Sequence, residues 1–209
     1  MNQELAAQDL GLWRGERCLC RGISFSLANG SLLQFAGPNG SGKTSLMRAV
    51  AGVGRLDEGA VTWNGTPIRR SEEYRGSLAY LGHHNGLKSQ LSAIENYVFY
   101  QSITVTSSGI RAQEALRRLG LPEEAQQRPV VQLSMGQRRR AALARLLAAR
   151  TRLWILDEPL TGLDVDGAAL VTGLLAGHAR QGGMAIIATH QPLAPEGVPL
   201  QRLELGAAA

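Results

Sequence analysis

Short apolar stretches recur along the chain and predict the strands of a buried sheet. Residues 32–36, 78–81, 153–156 and 185–188 form such stretches, and each is followed by a glycine or a polar residue. Continuous apolar runs of this length are typical of strands that are covered on both faces, as in a parallel sheet. The pattern therefore predicts an α/β core.

A different pattern near the N-terminus predicts antiparallel structure. Apolar and polar residues alternate within residues 19–35, where an Asn-Gly pair occupies residues 29–30. Residues 60–63 are followed by a second Asn-Gly pair at residues 64–65. Asn-Gly pairs favour the tight turns of β-hairpins. We therefore expect one hairpin that leads into the first buried strand and a second hairpin after it.

Helical spacing of apolar residues dominates the middle of the chain. Residues 95–101, 111–119 and 136–149 have this spacing, with arginines on their polar faces. The same spacing predicts a helix over residues 43–51 and another over residues 167–181. Because the first three helices lie together between two predicted strands, we expect a helical lobe inserted into the α/β core.

These elements predict a single domain over residues 1–209. Its core comprises residues 1–86 and 150–209, which contain the predicted strands. Its helical subdomain comprises residues 87–149. A chain of this length is able to bury such a core without disulfides or metals.

A glycine-rich segment predicts a phosphate-binding site. Residues 37–44, Gly-Pro-Asn-Gly-Ser-Gly-Lys-Thr, match the P-loop pattern and lie between a predicted strand and a predicted helix. Backbone N–H groups of such a loop converge on phosphate oxygens, and the helix N-terminus attracts negative charge. We expect Lys43 to meet the β- and γ-phosphates of ATP and the Thr44 hydroxyl to bind Mg²⁺. The predicted nucleotide-binding residues of this segment are Gly37, Pro38, Asn39, Gly40, Ser41, Gly42, Lys43, Thr44 and Ser45.

Two carboxylates end one of the buried strands. Asp157 and Glu158 directly follow the apolar residues 153–156. Asp157 is a predicted Mg²⁺ ligand, and Glu158 is the predicted general base that activates the attacking water. Two acidic residues at a strand end also suit a helix cap, but P-loop enzymes need a second carboxylate of this kind.

One further motif gives the sequence a family resemblance. Residues 133–137, Leu-Ser-Met-Gly-Gln, match the L-S-x-G-Q signature, and with it the chain resembles the ABC (ATP-binding cassette) ATPases. The resemblance implies a P-loop NTPase fold of the α/β class, with a RecA-like core, an antiparallel β subdomain and an inserted helical subdomain. It also implies a homodimer in which Ser134, Gly136 and Gln137 of one subunit close over ATP held by the other. Taken alone, Ser134 equally suits a helix N-cap.

Two more positions match family motifs. Asp164 ends the Thr-Gly-Leu-Asp run at the place of the D-loop, which implies a contact at the nucleotide. His190 follows the last buried strand and resembles the switch histidine, whose implied role is to align Glu158, the water and the γ-phosphate. A histidine at a strand end is more often structural, but the order and spacing of the other motifs favour the catalytic interpretation.

Two expected contacts depart from the family pattern. The family has a glutamine after the strand that ends near Leu81, whereas this chain has His83 and His84 there. We take His84 as a candidate metal contact, although a neutral imidazole nitrogen is a poor substitute for an amide oxygen toward Mg²⁺. Trp13 stands near the position of the aromatic residue that stacks on adenine. A surface tryptophan packed on the β subdomain suits Trp13 equally well.

Three local runs resemble one subfamily. Residues 81–88, 91–96 and 188–193 are similar to CcmA, the ATP-binding subunit of a bacterial system for cytochrome c maturation. This resemblance implies energy coupling for a membrane complex that exports haem or releases the haem-loaded chaperone CcmE. The implied partners are the permease CcmB with CcmC, CcmD and CcmE. The implied location is peripheral, at the cytoplasmic face of the bacterial inner membrane.

Composition agrees with a peripheral protein. The apolar runs are far shorter than the roughly 20 residues of a spanning helix, and no basic segment followed by an apolar run suggests a signal peptide. The net charge of +5 would suit a nucleic-acid binder, but no nucleic-acid partner is expected beside these motifs. The open alternatives are the ATPase of another exporter, such as an ABC-2 type system, and a soluble ABC ATPase. The interval between residues 42 and 133 is too short for the coiled coil of the soluble class.

Overall fold

Two sheets form the framework of the fold in a computed structural model that describes residues 3–206. The first sheet is antiparallel, with strand order β2-β1-β4-β5 when strands are numbered along the chain. Its strands are β1 (Glu4–Arg14), β2 (Arg17–Ala28), β4 (Glu58–Trp63) and β5 (Thr66–Pro67).

The second sheet is parallel and has the order β6-β7-β8-β3-β9. Four of its strands were predicted from their apolar residues, which confirms the α/β core. The fifth strand, β9, was not predicted, because it lies at the sheet edge and its residues are half-buried or exposed. The strands are β3 (Leu32–Ala36), β6 (Leu78–Leu81), β7 (Leu153–Asp157), β8 (Met184–Ala188) and β9 (Leu200–Glu204).

Helices surround the parallel sheet. The bounds are α1 (Lys43–Val50), α2 (Glu72–Ser77), α3 (Ala93–Ile103), α4 (Ala112–Arg118), α5 (Glu123–Gln126), α6 (Met135–Ala144) and α7 (Val165–Arg180). Helices α3 to α6 all lie between β6 and β7 in the chain, where the helical lobe was predicted. Among the helices of residues 3–206, none has both the length and the apolar character needed to cross a bilayer.

Alternate residues of the sheet face two separate cores. In β7, Leu153 and Ile155 pack with α1 and the antiparallel sheet. Trp154 and Leu156 of the same strand pack with α7 and the helical lobe. Because both faces are covered, every residue of β7 is buried, and the chemistry of the sheet is confined to the ends of its strands.

The first hairpin was predicted with the wrong turn. The antiparallel pair consists of β1 and β2, which are joined at residues 15–16. The turn at residues 29–30 instead connects β2 to β3, which belongs to the parallel sheet. The second hairpin is confirmed, since β4 pairs with β5 around residues 64–65.

Candidate functional site

The loop between β3 and α1 has a backbone that glycine alone accommodates well. Gly37, Gly40 and Gly42 have φ angles of 135°, 80° and 89°, which L-residues with a Cβ rarely adopt. At Gly37, an added Cβ would lie 2.3 Å from the carbonyl oxygen of Leu205. The chain that follows β9 therefore packs directly under the loop and fixes its shape.

Lys43 begins α1 and reaches back over the loop. Its Nζ donates hydrogen bonds to the carbonyl oxygens of Gly37, at 2.7 Å, and Pro38, at 2.9 Å. The side chain is buried. The ammonium group is thus held at the loop by main-chain oxygens, in a position where an entering phosphate would meet it.

A cleft of about 400 Å³ opens beside this loop. It brings together the loop, the ends of β6, β7 and β8, and part of the antiparallel sheet. A larger cavity of about 600 Å³ lies between the helical lobe and α7 and contains none of the predicted site residues. The smaller cleft is lined by Arg14, Leu19, Asn39, Gly40, Gly42, Lys43, Thr44, Ser45, His83, Asp157, Glu158, Thr161 and His190.

Asp157 offers an oxygen that suits a metal ion. Its side chain is buried, and within residues 3–206 its Oδ2 has no hydrogen-bond partner. The Oγ of Ser41, in the loop, is buried and also lacks a partner in this part of the chain. Thr44, which carries a hydroxyl, also lines the cleft. Carboxylate and hydroxyl oxygens are ligands that Mg²⁺ prefers, so the donor set fits that ion.

Glu158 and His190 form a pair at the cleft. The Nε2 of His190 lies 3.2 Å from Oε1 of Glu158. The φ angle of Glu158 is 49°, a conformation that is strained for a residue with a side chain by roughly 1 kcal/mol or more. The backbone N–H of Glu158 donates to the carbonyl oxygen of Ala188 at 2.8 Å, which ties the two strand ends together. This tight turn points the carboxylate toward the histidine.

Arg139 of α6 was missed by the sequence analysis. Its side chain is 4% exposed. Its Nη2 donates to the carbonyl oxygens of Asp157 and Glu158, both at 2.8 Å, and its Nε donates to the carbonyl oxygen of Pro159 at 3.2 Å. Its Nη1 donates to Oδ1 of Asn85 at 2.9 Å. The guanidinium group thus holds the turn that carries Glu158.

Burial lowers the pKa of Arg139 to about 10, and the carboxylates of Asp157 and Glu158 oppose that shift. The group therefore stays charged at neutral pH. A signal for its role was present in the sequence, because Arg139 stands three and four residues before Ala142 and Leu143, which are buried on the same helix. The neighbouring arginines made it resemble part of a solvated basic run.

The signature residues lie on a second surface. Ser134, Gly136, Gln137 and Asp164 line another cavity of about 400 Å³, which shares no lining residue with the cleft at the loop. Ser134 is the N-cap of α6: its Oγ accepts from the N–H of Gln137 at 3.2 Å, and its N–H donates to Oε1 of Gln137 at 2.9 Å. One chain thus presents two separate cavities, one at the loop and one at the start of α6.

Asp164 joins the second surface to α7. It caps that helix by accepting from the N–H of Gly167 at 2.9 Å, and it pairs with Arg140 at 2.6 Å. The N–H of Gly167, followed by the Arg140 guanidinium, lowers the pKa of the Asp164 carboxyl. This carboxylate therefore positions the chain segment that follows β7 beside the start of α6.

Two candidate residues lie away from the cleft. Of the two histidines after β6, the cleft is lined by His83 and not by His84. Trp13 packs its ring over Gly11 of its own strand, where an added Cβ would be 2.6 Å from the ring, while Arg14 lines the cleft. This arrangement favours the interpretation of Trp13 as a residue packed on the β subdomain. The contacts of Trp13 with adenine and of His84 with a metal ion stay predictions.

Known proteins resemble the chain over nearly its whole length. A family model described as ABC transporter matches residues 20–161. The "Cytochrome c biogenesis ATP-binding export protein CcmA" of Salmonella typhi is 46% identical over 204 residues, which are 96% of each chain. The protein of that name from Nitrosospira multiformis is 46% identical over 199 residues, which cover 94% of this chain and 96% of that one.

A solved structure has the same fold. It is titled as the dimeric, post-hydrolysis state of an ATP-binding cassette bound to ADP and Pi, and it superposes with a TM-score of 0.79 at 22% identity. The superposition covers 90% of this chain and 88% of that one. These findings confirm the P-loop NTPase fold of the α/β class and both resemblances seen in the sequence. The chain belongs to the ABC transporter family and, within it, to the CcmA group.

Proposed function

We propose that this chain hydrolyses ATP to drive a membrane-bound export complex of c-type cytochrome biogenesis. The observation that carries the proposal is a single cleft that joins the phosphate-binding loop, Asp157 and the Glu158–His190 pair. The CcmA relatives, named as cytochrome c biogenesis ATP-binding export proteins, support the choice of complex.

The loop and α1 bind the phosphates of ATP. The N–H groups of residues 37–42 and the N-terminus of α1 attract the oxygens, and Ser45 adds a hydroxyl at the cleft. Lys43 exchanges its two carbonyl partners for the β- and γ-phosphates. Since an ammonium–phosphate contact is charge-assisted on both sides, it is stronger than the contacts to Gly37 and Pro38 that it replaces.

Thr44 and Asp157 are the residues that would hold Mg²⁺. When bound, this ion neutralises charge on the phosphates and helps to orient them for reaction. The buried, unpartnered Oδ2 of Asp157 supports this assignment. Removal of divalent ions with EDTA should therefore abolish hydrolysis, and added Mg²⁺ should restore it.

Glu158 acts as the general base. Its carboxylate accepts a proton from the water that attacks the γ-phosphorus, while the bond from that phosphorus to the bridging oxygen breaks to give ADP and inorganic phosphate. His190, at 3.2 Å, holds the carboxylate in place. Most of the rate comes from positioning and from charge stabilisation at the phosphates.

The second surface completes the site of another copy. Ser134, Gly136, Gln137 and Asp164 lie in a separate cavity from the loop, so they reach nucleotide only if two chains pair head to tail. The dimeric state of the structurally similar cassette supports such a homodimer. The N-terminus of α6, capped by Ser134, would then face the γ-phosphate held by the partner chain.

The domain bounds, the partner proteins and the location of the chain also belong to the proposal. The core is assigned to residues 1–86 and 150–209, of which residues 1–2 and 207–209 lie outside the part of the chain that the structure describes, and the helical subdomain is assigned to residues 87–149. The partners are CcmB, CcmC, CcmD and CcmE, and the chain sits at the cytoplasmic face of the bacterial inner membrane. The relatives, which are named as export proteins of cytochrome c biogenesis, support the choice of partners and location.

Two measurements test the proposal. Phosphate release from MgATP is compared between the full chain and its Glu158→Gln and Glu123→Gln variants, the last being a control at an exposed position. We expect Glu158→Gln to bind ATP normally and to lose turnover by about 100-fold or more, whereas the control behaves as the parent chain. Equal turnover in all three would remove Glu158 from the reaction.

The complex is tested by capture from membranes. The Glu158→Gln chain is incubated with solubilised bacterial membranes and ATP, and the proteins retained with it are identified. Recovery of CcmB-, CcmC- or CcmE-like proteins supports the cytochrome c role. Recovery of a different permease would keep the ATPase and overturn its assignment to cytochrome c biogenesis.

A further inference from the structure

Arg139 joins three parts of the molecule that act together in the proposed function. It belongs to α6, the helix that begins with the signature residues. Its guanidinium group binds the turn after β7, at the carbonyl oxygens of Asp157 and Glu158. It also binds the loop after β6, at Oδ1 of Asn85, 2.9 Å away, and at the carbonyl oxygen of Gly82, 3.4 Å away.

The partners of Arg139 are neutral. Within residues 3–206 no carboxylate oxygen lies within ion-pair distance of its guanidinium group. A planar guanidinium group with five N–H donors fixes the direction of each acceptor that it binds. Because those acceptors include three successive main-chain oxygens, at Asp157, Glu158 and Pro159, the group determines the path of the backbone there.

The backbone that it holds is the strained one. Glu158 has a φ angle of 49°, and a residue in this conformation persists only where its surroundings hold it. One restraint is the hydrogen bond from the Glu158 N–H to Ala188. The other, on the carbonyl side of the same residue, is Arg139.

We propose that Arg139 is a positioning residue for hydrolysis. It holds the backbone of Glu158 in the position that hydrolysis needs, and it links this residue to the signature helix and to the loop of residues 82–85. This proposal rests on the proposed function, since it assigns Glu158 as the base. Arg139 acts on the reaction through the backbone of Glu158. It therefore affects turnover more than nucleotide binding.

Arg145 provides a matched comparison. It directly follows α6, and its guanidinium group donates to the carbonyl oxygens of Asn85, at 2.8 Å, and Gly86, at 2.9 Å, and lies over the ring of Tyr100. It thus holds the same loop as Arg139, but within residues 3–206 it donates no hydrogen bond to residues 157–159. A difference between the two arginines isolates the contribution of the Glu158 turn.

The test uses the full chain and three variants: Arg139→Met, Arg139→Lys and Arg145→Met. Met keeps the length of the apolar stem, and Lys keeps the charge but offers one point of contact in place of the planar fork. Binding of a fluorescent ATP analogue gives Kd, phosphate release gives kcat and KM, and thermal unfolding reports folding. The parent chain and Glu158→Gln are measured beside them.

We expect kcat to fall about 100-fold in Arg139→Met and about tenfold in Arg139→Lys, because small displacements of a reacting group have effects of this size. We expect Kd to change by less than about twofold in both, as for an interaction that matters in the transition state only. Arg145→Met should keep kcat within about threefold of the parent chain, since Glu158 is then undisturbed. If Arg139→Met does not fold, Arg139→Lys decides.

Three results would overturn the inference. The first is parental kcat in a folded Arg139→Met or Arg139→Lys chain. The second is a loss of kcat matched by an equal loss of affinity and a lowered melting temperature, which would show a purely structural role. The third is an equal loss of kcat in Arg145→Met, which would place the effect in the 82–86 loop. In each case the proposed function would still stand if the parent chain hydrolyses ATP and Glu158→Gln does not. If the parent chain does not hydrolyse ATP, or if Glu158→Gln still does, both the proposed function and the role of Arg139 would be overturned.

Discussion

Lys43 shows at the scale of one residue how the site is prepared for an anion. Its ammonium group is buried and bound by carbonyl oxygens of residues 37 and 38. The positive charge is therefore already desolvated and directed at the loop before any phosphate arrives. A group held in this way loses little further freedom when the ligand binds.

Replacement of this residue tests the electrostatic contribution. We expect Lys43→Ala to weaken ATP binding by about tenfold or more, because hydrogen bonds to charged groups are worth roughly 1.5–3 kcal/mol. The measurement is a titration with a fluorescent ATP analogue. Lys88→Ala, which removes the ammonium group of an exposed lysine, serves as the control. Equal affinity in the two variants would argue against the phosphate contact.

Some residues of the site could be predicted from the sequence, and others could not. The loop, Asp157, Glu158 and His190 were located by motif and order, because each motif couples residue type to a strand end. Arg139 was not found, because its neighbouring arginines made it resemble a solvated basic run, and because its main-chain partners at residues 157–159 leave no motif in the sequence. The histidine pair was resolved only by the backbone after β6, which directs His83 and not His84 to the cleft.

At the scale of elements, the contact between the loop and the segment after β9 is a steric requirement. We expect Gly37→Ala to lower the free energy of unfolding by about 2 kcal/mol or more, because its Cβ would collide with the Leu205 carbonyl oxygen. Gly40→Ala is the matched control: its φ is also positive, but an added Cβ has no heavy atom within 4 Å. It should lose only about 1 kcal/mol. Urea denaturation compares them, and equal losses would show that the contact is unimportant.

The packing of α7 on β7 gives the fold a pH dependence. His178 stacks on Trp154, with ring centroids 3.8 Å apart, and burial lowers its pKa to about 4 from 6.5. Because the unfolded chain then binds the proton more readily, this contribution to stability is complete above pH 6.5 and is lost as the pH falls toward 4.

We expect acidification across this range to lower the free energy of unfolding by about 3 kcal/mol through this residue. Denaturation of the parent chain and of His178→Gln gives their free energies of unfolding at several pH values between neutrality and pH 4. The difference between the two pH dependences is the contribution of His178. Parallel pH profiles would show that His178 does not contribute.

Strands and helices were predicted where a local pattern of apolar residues identifies them. Apolar runs located four strands of the parallel sheet, and helical spacing located the helical lobe. Pairing between distant strands was not local information, so the turn at residues 29–30 was assigned to the wrong pair of strands. The edge strand β9 carries the charged residues Arg202 and Glu204, and it lacked the apolar character that identified its neighbours.

At the scale of the whole molecule, the residues proposed to contact nucleotide line two separate cavities. We predict that the Glu158→Gln chain dimerises when ATP is added, because ATP bound to the loop of one chain becomes a ligand for the signature surface of the other. Sedimentation velocity with and without ATP measures this. Adding Ser134→Arg, which places bulk and charge on the second surface, should keep the chain monomeric, whereas Ser102→Arg on α3 should not. Dimerisation of all these chains alike would show that the signature surface is not the interface.

The separation of the two surfaces has a consequence for inheritance. In a dimer of two identical chains that carry a mutation on one surface, neither site is functional, because each site uses that surface once. In a mixed dimer, one chain carries a mutation on the first surface and the other carries a mutation on the second. One of its two sites then contains both mutations, and the other site is formed by two unmutated surfaces. Alleles that are each inactive alone would then complement one another, and alleles damaged on the same surface would not.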